Sequence, residues 1–287
     1  MTTSKKILAM IDGSVYSNSV VDHAAWAANR LNTDVELMHV IGRRGVGNDT
    51  ANLSGNIGLG ARTSLLEELS EHDAQTSKLA QKRGRLILDD ASEKLQNAGV
   101  EHVTTRMRNG ELVESVTSSE DTVDLILIGK RGEGADFDKL HPGSNLERVA
   151  RSCTKPILVA ARAYKTIDRV LIAFDGGASC NRAINYITSE KLLTNLPIKL
   201  LMVGDQGTLP SKSLEEASDK LQHAGHPVTS EVLPGITEEV ISAAVEKENH
   251  DLLVMGAYGH SRIRNMIIGS TTTAMIISCK IPVMLFR

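Results

Sequence analysis

A chain of 287 residues, 41% hydrophobic and 23% charged, exceeds the ~100–200 residues of one typical domain and can fill two hydrophobic cores. Its net charge of −3 and 3% aromatic content exclude the basic field and stacking platforms of a nucleic-acid binder, and no apolar run approaches the ~20 residues of a membrane span. Three scattered cysteines and an opening segment without a signal-peptide core lead to the expectation of a reduced, cytoplasmic protein with neither a disulfide framework nor a membrane span.

In chain order, apolar strand-like runs fall at 6–12, 35–41, 103–108, 124–129 and 156–161. A helix over 17–32 follows the first, with Val21, Ala24, Ala28 and Leu31 on one face. A glycine-rich stretch from Gly42 to Gly60 follows the second and reads as a long loop. After a short linker at 162–168, strand-like runs recur at 169–175, 198–205, 228–233, 251–256 and 282–287. Runs such as LILIG and LLVMG suit strands covered on both faces. Five strands alternating with helices in each half predict two doubly wound α/β domains, over 1–163 and 167–287.

The halves are copies of one plan. ASEKLQNAGV at 91–100 and ASDKLQHAGH at 217–226 agree at seven of ten positions, at an offset of 126. The same offset pairs Gly143-Ser144 with Gly269-Ser270, Cys153 with Cys279, and Pro156 with Pro282. Near the start of each half, KKILAMIDGS matches DRVLIAFDGG at an offset of 163 and sets Asp12 opposite Asp175. The difference of 37 residues assigns the first half an insertion, a loop around 42–75.

The segment from Gly256 to Ser270 carries the most specific signal, reading Gly, two residues, Gly259, nine residues, Gly269-Ser270. Glycines let backbone N–H groups turn toward an anion, and a helix opening at Ser270 adds a favourable N-terminus. The same glycines also serve simple tight turns, and the residues alone leave both readings open. Asp12 and Asp175 likewise read as turn carboxylates as readily as ligand contacts.

A strand ending in Asp12 or Asp175, the Gly-x2-Gly-x9-Gly-Ser loop, and a last strand after Cys-x2-Pro together resemble the universal stress protein family in its tandem form. The resemblance spans both halves. It implies the adenine-nucleotide-hydrolase type of sheet, ordered 3-2-1-4-5, with the first and fourth strands side by side at the switch point. It also implies binding of ATP or a related adenine nucleotide, with Mg²⁺ carried in by the nucleotide. Carried over position by position, the implied nucleotide site is Asp175, Gly256, Gly259, Gly269 and Ser270, with Val203 on the second strand. Domains of the family pair through edge strand five, so the resemblance implies intramolecular pairing and a further homodimer.

The first half offers a second candidate nucleotide site at Asp12, Gly129, Gly132, Gly143 and Ser144, but ten residues separate Gly132 from Gly143. Asp136 and Asp138 oppose a phosphate there, while Lys130 and Arg131 favour one. His39 reads as a hydrogen-bonded core residue, Cys153 and Cys279 as small buried thiols, and His141 and His260 as loop histidines. No metal-ligand spacing and no nucleophile–base pattern stands out, so no catalytic or protein-built metal site is assigned. The expected function is a nucleotide-binding regulator or sensor of stress. The alternatives are a nucleotide-free module for protein or lipid contacts, or a slow ATPase.

Overall fold

The computed structural model describes residues 6–42, 59–132, 144–204, 209–257 and 269–287. In the first half the elements are β1 (Lys6–Met10), α1 (Ser17–Leu31), β2 (Asp34–Ile41), α2 (Leu59–Asn97), β3 (Val103–Asn109), α3 (Leu112–Thr117), β4 (Leu125–Gly129), α4 (Ser144–Ser152) and β5 (Ile157–Ala160). The second half repeats the order: β6 (Val170–Ala173), α5 (Ala178–Ser189), β7 (Ile198–Val203), α6 (Leu209–His223), β8 (Val228–Leu233), α7 (Thr237–Lys247), β9 (Leu252–Gly256), α8 (Ser270–Ser278) and β10 (Val283–Phe286).

Each half is a parallel sheet ordered 3-2-1-4-5 in its own strands, as expected. The two sheets meet edge to edge: β5 and β10 pair antiparallel, with Met284 opposite Leu158, and ten strands run as β3-β2-β1-β4-β5-β10-β9-β6-β7-β8. Side chains alternate along each strand, so Ile7 and Ala9 of β1 join the core beneath α1, α2, α5 and α6, whereas Leu8 and Met10 join the one beneath α3, α4, α7 and α8. Both cores run through both halves.

Further ties cross between the halves. Arg30 of α1 donates through Nε and Nη2 to the carbonyls of Leu192 and Thr194, and the His23 ring meets the linker's Tyr164 edge to face at 4.9 Å. Arg287 donates to the carbonyl of Arg151.

The repeated decapeptide has a structural cause. Gly99 and Gly225 adopt φ of +86° and +89° just past α2 and α6. Val100 N–H bonds back to the Leu95 carbonyl at 3.1 Å, as His226 N–H does to Leu221. This is the Schellman closure of a helix, which needs a residue tolerant of positive φ and an apolar contact beneath it. Leu95 and Leu221 supply that contact in the core.

The insertion departs from expectation. From Leu59 onward it is helix, so α2 has 39 residues against 15 in α6. The rest of the glycine-rich stretch, with Arg43 and Arg44, lies outside the described residues.

Candidate functional site

In the second half the chain leaves β6 through Phe174, Asp175, Gly176 and Gly177 and enters α5. Asp175 Oδ1 accepts the Gly177 N–H at 2.8 Å, closing an Asx turn, and Gly176 sits at φ +74° where a side chain would be strained. Asn181 Nδ2 donates to the carbonyls of Gly176 and Gly177, at 3.0 Å each, and steadies the turn. Opposite Gly176, on α6, stands the small hydroxyl of Ser213.

Strand β9 lies beside β6 and ends at Gly256. A methyl group there would come within 3.0 Å of Ser179 Cβ, so the glycine allows the first turn of α5 to rest on the strand end. The two ends of the glycine loop are clasped: Gly269 N–H bonds to the Ala257 carbonyl at 3.3 Å, and Thr272 Oγ1 donates to the Gly256 carbonyl at 3.0 Å. Thr271 Oγ1 donates to Glu238 of α7 at 2.7 Å. Gly269 therefore stands as the N-cap of α8 without a side-chain cap, and Ser270 beside it is exposed.

Asp175, Gly256, Gly269 and Ser270 thus gather at the carboxyl ends of two adjacent strands. Val203 lies at the carboxyl end of β7, on the other side of β6, and is half-buried. Gly259 and His260 lie outside the described residues. Sequence reasoning missed Thr272, although its place two residues into the helix after Gly-Ser was a usable signal, and Ser213, which faces Gly176 only through the packing of α6.

In the first half Asp12 Oδ1 accepts from Ser14 N–H at 2.9 Å and from Ser17 Oγ at 3.1 Å. Gly132 passes so close that a methyl group on it would lie 2.9 Å from Asp12 Oδ2, which brings the two loops together. The surroundings differ from those of the second half. A methyl group on Gly129 would lie 2.7 Å from Tyr16 Cβ, and one on Gly13 (φ +79°) would lie 2.7 Å from Ile87 Cδ1 and 3.7 Å from Arg83 Nη2 of α2. Ser144 opens α4, whereas Gly143, Asp136, Asp138 and His141 lie outside the described residues.

One expectation needs correction. Lys130 does not offer its charge to an anion in the first-half loop: its side chain is buried and its ammonium donates to the Cys279 carbonyl at the end of α8, across the junction of the halves. Burial brings its pKa down to about 8, and the neighbouring Arg131 acts in the same direction.

The other singled-out residues are structural. His39 is buried, with Nδ1 2.9 Å from the Ile11 carbonyl. Burial pushes the Cys153 and Cys180 thiols up to about 12 and raises Cys279 as well, so all three favour the thiol over the thiolate. Among the described residues, no group of three or more His, Cys, Asp or Glu side chains is placed to hold a metal, and no helix is long and apolar enough to cross a membrane.

Comparison with known proteins now bears on the whole chain. The model of the universal stress protein family matches twice, at residues 3–161 and 166–287. The chain belongs to that family. A universal stress protein of Synechocystis sp. is 38% identical over 286 residues, covering 99% of this chain and all of the relative. A second, from Mycolicibacterium smegmatis, is 21% identical over 305 residues, covering 99% of this chain and 98% of its own. Among solved structures, a universal stress protein from Archaeoglobus fulgidus superposes with a TM-score of 0.74 at 19% identity, over 99% of this chain and 98% of that one. The two family domains and the doubly wound architecture therefore agree with the reading of the sequence.

Proposed function

We propose that the second half binds an adenine nucleotide, with ATP the first candidate, and that the protein acts as a nucleotide-dependent regulator of a stress response. The observation that carries the reading is the glycine-lined switch point between β6 and β9. There the Gly176-Gly177 turn, the strand end at Gly256 and the uncapped N-terminus of α8 at Gly269-Ser270 come together beside a small hydroxyl, Ser213. Open parallel sheets take ligands at that edge, and a helix N-terminus favours a phosphate.

In this reading Gly256, Gly259, Gly269 and Ser270 hold the phosphates. Asp175 and Val203 lie toward the nucleoside, where the family places the corresponding residues. The carboxyl group of Asp175, already engaged by the Gly177 N–H, orients the turn. Mg²⁺ arrives bound to the nucleotide, as the family resemblance implies. Family membership supports the adenine nucleotide as the ligand class, and the geometry supports the second half as its place.

Titration calorimetry with ATP and Mg²⁺ tests this on the full chain and on the double variant Gly259→Val, Gly269→Val. The expected result is binding by the wild type and a loss of at least about a hundredfold in the variant, since side chains at the loop ends block close approach. Unchanged affinity in a folded variant, or no binding by the wild type, overturns the reading.

A further inference from the structure

Two ties between the halves end on the helices that leave the switch points. In each half the helix after strand four begins at the glycine loop, α4 at Ser144 and α8 at Ser270. The far end of each lies in the grasp of the opposite half. Arg287, just past β10, donates to the carbonyl of Arg151 in the last turn of α4. Lys130, just past β4, donates through Nζ to the carbonyl of Cys279, the C-cap of α8. In the repeat the two acceptors stand two residues apart, Arg151 corresponding to Ile277. The last carbonyls of a helix have no partner within it and form its negative end, so a cation there fixes where the helix sits.

The Lys130 tie also reaches the first-half loop. Its side chain is buried, which a lysine tolerates only when its ammonium is paired. Its neighbours in the chain belong to the other switch point: Gly129 ends β4 against Tyr16, and Gly132 passes the Asp12 carboxylate. The matching residue of the second half, Ala257, is a small buried side chain. This loop-borne tether therefore runs in one direction, from the first-half loop to the site helix of the second half.

Helix α8 is suited to carry a signal along it. It has nine residues, ~13 Å at ~1.5 Å per residue, and buries Met275 and Ile276. Thr271 and Thr272 hold its first turn to Glu238 and to the Gly256 carbonyl, and Lys130 holds its end. A phosphate at the N-terminus and an ammonium at the C-cap both fix the placement of this one short body. The cost of ordering α8 is then met once for the two, which makes each favour the other.

We propose that Lys130 couples the halves: nucleotide held at the N-terminus of α8 tightens the seat of Lys130 on the Cys279 carbonyl and steadies residues 129–132 against Asp12. The proposal rests on the reading that the second half binds an adenine nucleotide, and adds a division of labour in which one half senses and the other responds. Lys130 is a positioning residue in this account, acting through α8 and not on the ligand.

The test is hydrogen exchange read by mass spectrometry on the full chain, with and without saturating ATP and Mg²⁺. In the wild type, exchange is expected to slow at 256–257 and 269–273, and by about fivefold or more at 129–132 and 12–14. Lys130→Met keeps an unbranched apolar stem and removes the ammonium, with circular dichroism checking its fold. By reciprocity it binds ATP several-fold more weakly, keeps the response of the second half and loses that of the first. In the Gly259→Val, Gly269→Val variant both responses disappear. Slowing confined to the second half of the wild type overturns the proposal with no variant needed. First-half slowing that survives Lys130→Met overturns it too, as does slowing that persists in the glycine variant, which would place nucleotide in the first half itself. No ATP binding by the wild type in calorimetry overturns the nucleotide reading and the coupling together, whereas binding with a silent first half overturns the coupling alone.

Discussion

The two halves share one fold but have furnished the same switch point differently. Where the first half places Tyr16 against the end of β4 and Ile87 over the glycine turn, the second places Ser179 and Ser213. Larger carbon side chains meet the glycines of one edge, and small hydroxyl-bearing ones meet those of the other. The loop between strand four and the following helix has a base crossing to the other domain in one half, Lys130. In the other it is clasped on itself through Ala257, Gly269 and Thr272. Charges beneath the sheets have also been exchanged. Glu36 of β2 is buried between Lys6 and Arg106, at 2.8 Å from each, and at the matching place in β7 stands Lys199, paired with Glu231 and Glu248. Both arrangements pair the charge, with Glu36 buried and Lys199 half-buried.

The sharpest way to test that contrast is at the paired glycine turns. Gly13→Ala and Gly176→Ala each place a Cβ at positive φ, a cost of ~1–2 kcal/mol. At Gly13 the new methyl group also meets Ile87 Cδ1 at 2.7 Å, adding ~1–3 kcal/mol of overpacking. Chemical denaturation is expected to rank Gly13→Ala as the more damaging of the two. Equal losses would mean that Ile87 yields easily and that the first cleft is less crowded than it looks.

A smaller effect is expected at the clasp. Thr272→Val removes the part-buried bond from Oγ1 to the Gly256 carbonyl, a loss of ~0.5–1.5 kcal/mol. If the clasp sets the α8 N-terminus for a phosphate, nucleotide affinity falls several-fold in parallel, read by the same titration. A loss of stability with affinity intact would separate the clasp from the site.

The smallest expected difference concerns acid. His23 of α1 is fully buried, its Nδ1 2.6 Å from the Ser19 carbonyl and its Nε2 without a hydrogen-bond partner, and burial lowers its pKa below 6.5. The matching residue of α5 is Tyr186, whose hydroxyl burial keeps protonated at any ordinary pH. Because the folded protein disfavours the charged imidazole, stability is full above the unfolded pKa of ~6.5 and falls as pH drops through the lowered value. His23→Phe is expected to flatten that fall in thermal scans between pH 7 and pH 5. An unchanged slope would assign the acid response to another group, His250 being the next whose pKa burial lowers.

Much of this architecture was legible in the sequence because strands buried on both faces leave continuous apolar runs, and LILIG and LLVMG could hardly be anything else in an alternating pattern. The duplication was legible for a different reason from the one first suggested by its strongest repeat. That decapeptide closes a helix through Gly99 and Gly225, so the clearest internal match reports a cap and not a site. What the sequence could not convey was direction in space. Lys130 stands next to Gly129 in the chain, yet its stem runs into the other half, a path set by the antiparallel joining of β5 and β10. The helical nature of the insertion beyond Leu59 was hidden because its glycine-rich start dominated the reading, while its exposed, charged turns carry little apolar periodicity. Tyr16 and Ile87 were equally hidden, since only the packed fold brings α2 over the Asp12-Gly13 turn.

We propose that the second half, and not the first, holds the nucleotide. Equilibrium dialysis of the full chain against labelled ATP with Mg²⁺ measures the number of sites directly. One nucleotide per chain, lost in the Gly259→Val, Gly269→Val variant, is the predicted result. Two equivalent sites per chain, or one that survives in that variant, would contradict it.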